Sequence, residues 1–186
     1  MNSRLLGTVC IVGTLALMVE GFRRTGSGPG SIDTLSSMAY VVWSIGGICA
    51  IIGLIKLHAL GSNTVMRALA FLPIIGFVVF ILMDGLKVSG MLTQGQVYNS
   101  AIGIGWIILL AGMLIVGILV IAAKNWRGWQ RFVPLLAAVL MPTGLGFGSA
   151  IGSLLVGALI AHMGWLLLGF IIATRDSTSM EPQLSV

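Results

Sequence analysis

Apolar runs long enough to cross a membrane alternate along the chain with short polar breaks. A helix spanning a bilayer core needs about 20 apolar residues. Six segments meet that need: 5–22, 36–60, 65–86, 99–123, 130–147 and 150–174. The fourth is the clearest, because nothing charged occurs between Ala101 and Ala123. The first is the shortest, its apolar run from Leu5 to Val19 ending at Glu20. Arg4 ahead of it imitates the basic start of a signal peptide. No small-x-small cleavage pattern follows, only Glu20-Gly21-Phe22-Arg23-Arg24, so the segment reads as a retained helix.

The breaks set the order of crossings. Between Phe132 and Ile172 there is no Lys, Arg, Asp or Glu. At about 1.5 Å per helical residue that stretch is too long for one crossing and long enough for two. The sequence at 142–148, Pro142-Thr143-Gly144-Leu145-Gly146-Phe147-Gly148, predicts the turn between them, since proline removes a backbone donor and the glycines favour a bend. A re-entrant segment there is the alternative and leaves five true crossings. Residues 61–64 form a tight hairpin, and 124–129 join the fourth span to the fifth. The first loop, 23–35, is rich in Gly and Ser and reads as a mobile linker. The loop 87–98 holds Gln94, Gln96 and Tyr98. The expected organisation is one transmembrane domain, 1–174, with a polar, disordered cytoplasmic tail, 175–186. The two three-span halves show no internal repeat.

Composition sharpens the class. Of 186 residues, 58% are hydrophobic and 8% charged, against about a quarter charged in an ordinary soluble domain. Such a chain cannot cover a water-facing surface, which excludes a soluble globule, a disordered chain and a disulfide scaffold. Cys10 and Cys49 lie inside apolar runs, without metal or redox spacing. The net charge of +5 comes from single cations at span ends rather than a basic cluster, so nucleic acid is excluded as a partner. The fold class is all-α: a polytopic, six-transmembrane-helix bundle in a lipid bilayer.

Charge also orients it. One side carries Arg4, Lys56, Arg67, Lys124, Arg127, Arg131 and Arg175; the other carries Arg23, Arg24 and Lys87. Positive residues favour the cytoplasm. Both termini are therefore expected on the cytoplasmic side of the membrane, with the glycine-rich first loop outside. Trp126 and Trp129 alternate with cations in the loop 124–131, as amphipathic rings do at an interface.

Ionisable groups within a membrane are costly and are functional candidates by default. His162 stands near the centre of the sixth span, and Thr143 beside Pro142 is its expected hydrogen-bond partner. A proton, substrate or cofactor contact is the functional reading; a histidine bonded to a neighbouring helix is the structural one. Haem between two histidines is excluded, because His58 lies about 13 Å from the depth of His162. Glu20 and Asp84 lie at similar depth near the outer face, among Arg23, Arg24, Asp33 and Lys87. They form either an ion-pair cluster or the mouth of a solute site. Lys56, His58 and Arg67 flank the inner hairpin and read as plain topology signals, with attraction of anionic lipid as the alternative.

Small residues carry a packing message. Ser149, Ser153, Gly157 and Ala161 recur every four residues, and Gly148 and Gly152 add a GxxxG beside them. Such ladders let helix backbones approach closely, within the bundle or against a homo-oligomer or membrane-protein partner.

There is no HExxH, CxxC, P-loop or mid-membrane Schiff-base lysine, so no catalytic residue, metal or cofactor is assigned. Ala161-His162-Met163-Gly164, with Gly169 beyond, resembles the histidine helix of rhomboid proteases. That family has a Gly-x-Ser-Gly serine two helices earlier, which the fourth span lacks. Ser149 in Gly148-Ser149-Ala150 lacks the second glycine, and the family's first glycine follows histidine by three residues, not two. Rhomboid activity is excluded. WRGWQRFVPLL at 126–136 and GWLLLG at 164–169 resemble uncharacterised small bacterial membrane proteins. That resemblance implies a bacterial six-helix protein and no activity.

Three functions follow in order of expectation. The first is a non-enzymatic subunit that packs or binds a partner through the small-residue face of the sixth span. The second is a small solute transporter or substrate-binding transporter component contacting solute through Glu20, Asp84 and His162. Length and span number here resemble the binding components of energy-coupling-factor vitamin transporters, without their Ala-x-x-x-Ala motif in the first span. The third is a lipid-acting membrane enzyme using Glu20 and Asp84. A polar pocket in the outer half separates the second from a solidly packed subunit.

Overall fold

The computed structural model describes residues 2–25 and 33–175. Linker positions 26–32 and tail positions 176–186 lie outside the described residues. The described chain is helical nearly throughout. Its helices are α1 (Ser3–Thr25), α2 (Thr34–Lys56), α3 (Thr64–Leu69), α4 (Leu72–Val88), α5 (Gln96–Ala123), α6 (Val133–Ala150) and α7 (Leu154–Thr174), with a 3-10 turn at Gly128–Phe132. Counting α3 with α4, six helices are long and apolar enough to cross a membrane. The protein is an all-α, multi-pass membrane bundle.

Local chemistry sets the boundaries. Asp33 caps α2 by accepting the Ser36 backbone N–H at 2.9 Å, and Asn63 does the same for Val65 at the start of α3. The third span breaks at Ala70 and Phe71, just before Pro73, which stands in the first turn of α4 where its missing donor is harmless. Pro134 plays that part for α6. Glu20 does not end the first helix, which runs on through Arg23 and Arg24.

The turn expected at 142–148 is not there. α6 continues through Pro142 to Ala150, and the chain reverses at 151–153 instead. A membrane interior supplies no water for freed backbone groups, so an unbroken helix with one proline is favoured over an irregular segment. Gly144 and Gly148 also sit directly against α7. A Cβ on Gly148 would lie 2.6 Å from Gly157 Cα, and one on Gly157 would lie 2.8 Å from the Gly144 carbonyl oxygen. That contact exists only while α6 stays helical. The tight reversal uses Gly152 at φ +66°, a conformation that favours glycine.

Each spanning helix packs on its neighbours in chain order, and α7 closes the ring against α1. Gly7 of α1 lies against the backbone of Gly169 and Ala173 on α7. The centre is filled by aromatic rings. Trp43 is fully buried and touches Phe77 and Trp165 edge-on at 5.2 and 5.8 Å between ring centroids, with Phe80 at 6.2 Å and Trp106 at 5.8 Å. Measured from their helix ends, these rings lie about 12–17 Å deep, the middle of a bilayer. Val12, Val19, Leu82 and Ile107 point outward, as a lipid-facing surface requires.

Candidate functional site

The polar side chains gather at the end of the bundle formed by the close of α1, the start of α2, the close of α4 and the start of α5. Two carboxylates are buried there, Glu20 and Asp84. Each has its own partners.

Glu20 belongs to an ion-paired network. Arg23, one turn along α1, donates from Nε at 2.7 Å and from Nη2 at 2.8 Å to its two oxygens. The same guanidinium reaches Asp33 at 2.6 Å. The Ser36 hydroxyl donates to Glu20 and lies 2.9 Å from Asp33. Asp33 is held well below the usual carboxylate range, at about 2, by the Ser36 backbone N–H first, then by the Ser36 hydroxyl and Arg23. This network laces α1 to α2.

Asp84 sits one turn from the end of α4 and is 1% exposed. The Tyr98 hydroxyl, buried at the start of α5, donates to it at 2.6 Å. The Ser37 hydroxyl is buried and faces the same pair without closing a well-formed hydrogen bond. Among the described residues, no cation comes within ion-pair distance of Asp84. The Lys87 ammonium lies 5.2 Å from the centroid of the Tyr98 ring. Below the pair is a recess of about 40 Å³ lined by Tyr40, Phe80, Asp84, Tyr98, Ile102 and Trp106.

α2 serves both places. Ser36 points to Glu20 while Ser37, the next residue, points to Asp84. A 100° step between consecutive helical residues makes this natural for a helix between α1 and α4.

His162 has other company than its sequence suggested. Its Nδ1 lies 2.7 Å from the carbonyl of Ala158 on its own helix, and its ring meets Trp43 edge-on at 6.3 Å. Its Nε2 is buried without a partner. Thr143 is exposed and donates to Val139 on its own helix at 2.7 Å, so the two are not paired. His58 is exposed in the turn after α2.

The small-residue ladder is divided between two helices. Gly148 and Ser149 close α6, Gly152 and Ser153 make the reversal, and Gly157 and Ala161 belong to α7. Gly148, Gly157 and Ala161 are buried where α6 meets α7, and Ser153 caps α7 through Val156. They do not form one outward face of the sixth span.

Two further hollows differ in kind. An open depression of about 700 Å³ at the opposite end is walled by turns and neutral side chains such as Asn63, Met66 and Asn125. It is wider than the recess at Asp84 but holds no buried polar group, so size alone does not make it the better candidate. A furrow of about 360 Å³ between α1 and α2 is lined by the Glu20–Arg23 ion pair and by apolar side chains such as Val19, Leu35, Met38 and Val42; its carboxylate is already matched by Arg23. Among the described residues, no three His, Cys, Asp or Glu side chains are placed to hold a metal.

Sequence reasoning found Glu20 and Asp84 but missed Tyr98, Ser36, Ser37, Tyr40 and Trp106. The Glu20–Arg23 spacing of three and the Asp33–Ser36 cap were readable signals. The Asp84–Tyr98 pairing had a weaker one: both stand at the facing ends of consecutive spans.

Fold and polar end together define a six-span membrane bundle with one ion-paired carboxylate and one carboxylate over an aromatic recess. No protein-family model, no curated protein and no solved structure matches the chain.

Proposed function

We propose that this is a non-enzymatic, multi-pass protein of a bacterial plasma membrane that handles a small solute, as a transporter or a transporter component. The observation that supports it is the recess at Asp84, a buried carboxylate bonded to Tyr98 above aromatic walls. Intramembrane carboxylates without an ion-pair partner are expensive, and their use in solute paths is the usual reason they are kept. Cations support an orientation with both termini cytoplasmic. Ser3 Oγ donates to the Arg175 carbonyl at 3.0 Å, which brings the two ends of the described chain to one side. The recess then opens toward the outside.

A partner-binding subunit is the second reading. The aromatic layer around Trp43 favours it, because that layer closes the middle of the bundle. The small-residue seam no longer favours it, since α6 and α7 use those residues against each other. The lipid-enzyme reading requires Glu20 and Asp84 to act together, and the two have separate partners.

The test is a panel of cationic, anionic and neutral solutes added to the purified protein in lipid nanodiscs, followed by thermal unfolding. At least one class should raise the Tm of the wild type and leave Asp84→Asn unmoved. A Tm that no solute shifts, or that shifts equally in both proteins, would overturn the proposal.

A further inference from the structure

We infer that the recess at Asp84 takes a small ammonium-type cation, ammonium itself or a methylammonium-sized primary amine. This rests on reading the recess as the solute site. Its lining consists of one carboxylate, four aromatic residues and one aliphatic residue. Carboxylates and aromatic faces share one preference, which is for positive charge. An anion meets repulsion from both. A neutral solute finds an acceptor in Asp84, but Tyr98 already donates to that carboxylate.

The walls also separate cation types. Hard metal ions want a shell of about six oxygens. The recess offers the two Asp84 oxygens, the Tyr98 and Tyr40 hydroxyls and nearby Ser37, short of that shell, and the rest is carbon and the Trp106 indole. An N–H cation needs fewer oxygens, because it gives one or two directed hydrogen bonds and lays its remaining surface on rings. Size narrows the class further. One water needs about 10–15 Å³ of such space, so about 40 Å³ holds two or three heavy atoms. Ammonium and methylammonium fit; tetramethylammonium and choline do not. The protein's own Lys87 already rests its ammonium over Tyr98, showing that this ring is positioned to face a cation.

The probe is radiolabelled methylammonium, bound to the full-length protein in nanodiscs. Saturable binding is expected, displaced by ammonium and not by sodium or tetramethylammonium. Asp84→Asn should weaken it by about tenfold or more, and Trp106→Leu by about threefold. If Asp84→Asn does not yield a monodisperse protein, Asp84→Glu and Trp106→Leu decide, and unchanged affinity in Trp106→Leu overturns the inference. Should a neutral or anionic solute bind in an Asp84-dependent way while methylammonium does not, the ammonium class fails and the solute-site reading stands. If no solute of any class binds, both fail.

Discussion

Glu20 and Asp84 are buried carboxylates at the same end of one bundle, yet they are built for different ends. Glu20 takes two hydrogen bonds from Arg23 and one from Ser36, and its charge is matched where it stands. Asp84 takes one from Tyr98 and looks onto aromatic rings. The first arrangement uses a carboxylate to fasten α1 to α2. The second has the charge of Lys87 nearby but no ion pair, so attraction for positive charge is left over. An acid in a membrane is therefore not diagnostic by itself; what matters is whether the protein has already satisfied it.

The comparison predicts a ranking of effects. Trp43 lies beneath both carboxylates, packed on Phe77, Phe80, Trp106 and Trp165. Trp43→Ala should therefore damage both regions, costing about 3–5 kcal/mol in a reversible denaturation titration in detergent. A smaller loss would mean that the layer repacks and is not a common floor.

Glu20→Ala comes next. Removing it takes from Arg23 its two-pronged acceptor and from Ser36 one of two, with Asp33 left to both, for a cost of about 1–3 kcal/mol, kept modest because Arg23 is partly solvated. Binding at Asp84 should survive. If solute binding disappears while the protein stays folded, the two regions are one site and the contrast is wrong.

Tyr98→Phe should cost about 1–2 kcal/mol, since Asp84 loses its donor within a buried setting. Asp84→Asn should cost less than about 1 kcal/mol, because an amide oxygen still accepts from Tyr98. That is the decisive contrast: Glu20 substitutions lower stability and spare binding, whereas Asp84→Asn spares stability and removes binding. Equal stability losses from Glu20→Ala and Asp84→Asn would erase it.

The smallest expected effect is a pH dependence at Asp33, on the Glu20 side. Asp33 is held at about 2, below the ordinary carboxylate value near 3.9. Its folded pKa is lowered, so its contribution is complete above about pH 4 and fades as pH falls toward 2. The Tm difference between wild type and Asp33→Asn should shrink across that window. A difference that persists at pH 2 would show that the contribution of Asp33 does not come from its charge, since asparagine caps a helix about as well.

How far the sequence reaches depends on the length of the interaction. Six apolar runs determine six crossings, because a bilayer tolerates only helices or closed barrels and each helix needs its own apolar length. Asp33 three residues before Ser36 marks the start of α2, and Glu20 three before Arg23 marks an ion pair on one helical face. These are local, so spacing alone discloses them. The same locality misled at Pro142. Proline and glycines at 142–148 indicate a break, but packing of Gly148 on Gly157 and the absence of water keep α6 whole. Likewise Thr143 and His162 sit at compatible depths, and depth says nothing about which way each helix is turned.

The sequence by itself determined the solvent of this protein, its number of spans and its store of buried charge. Hydropathy sums over neighbours along the chain and needs no partner. Only the tertiary structure decided that Glu20 is ion-paired and Asp84 is not. That distinction depends on the rotation of α2 between α1 and α4, which sends Ser36 one way and Ser37 the other, and on Tyr98 arriving from α5. Side chains 14 or 16 residues apart meet there because helix packing sets angles that no periodicity encodes.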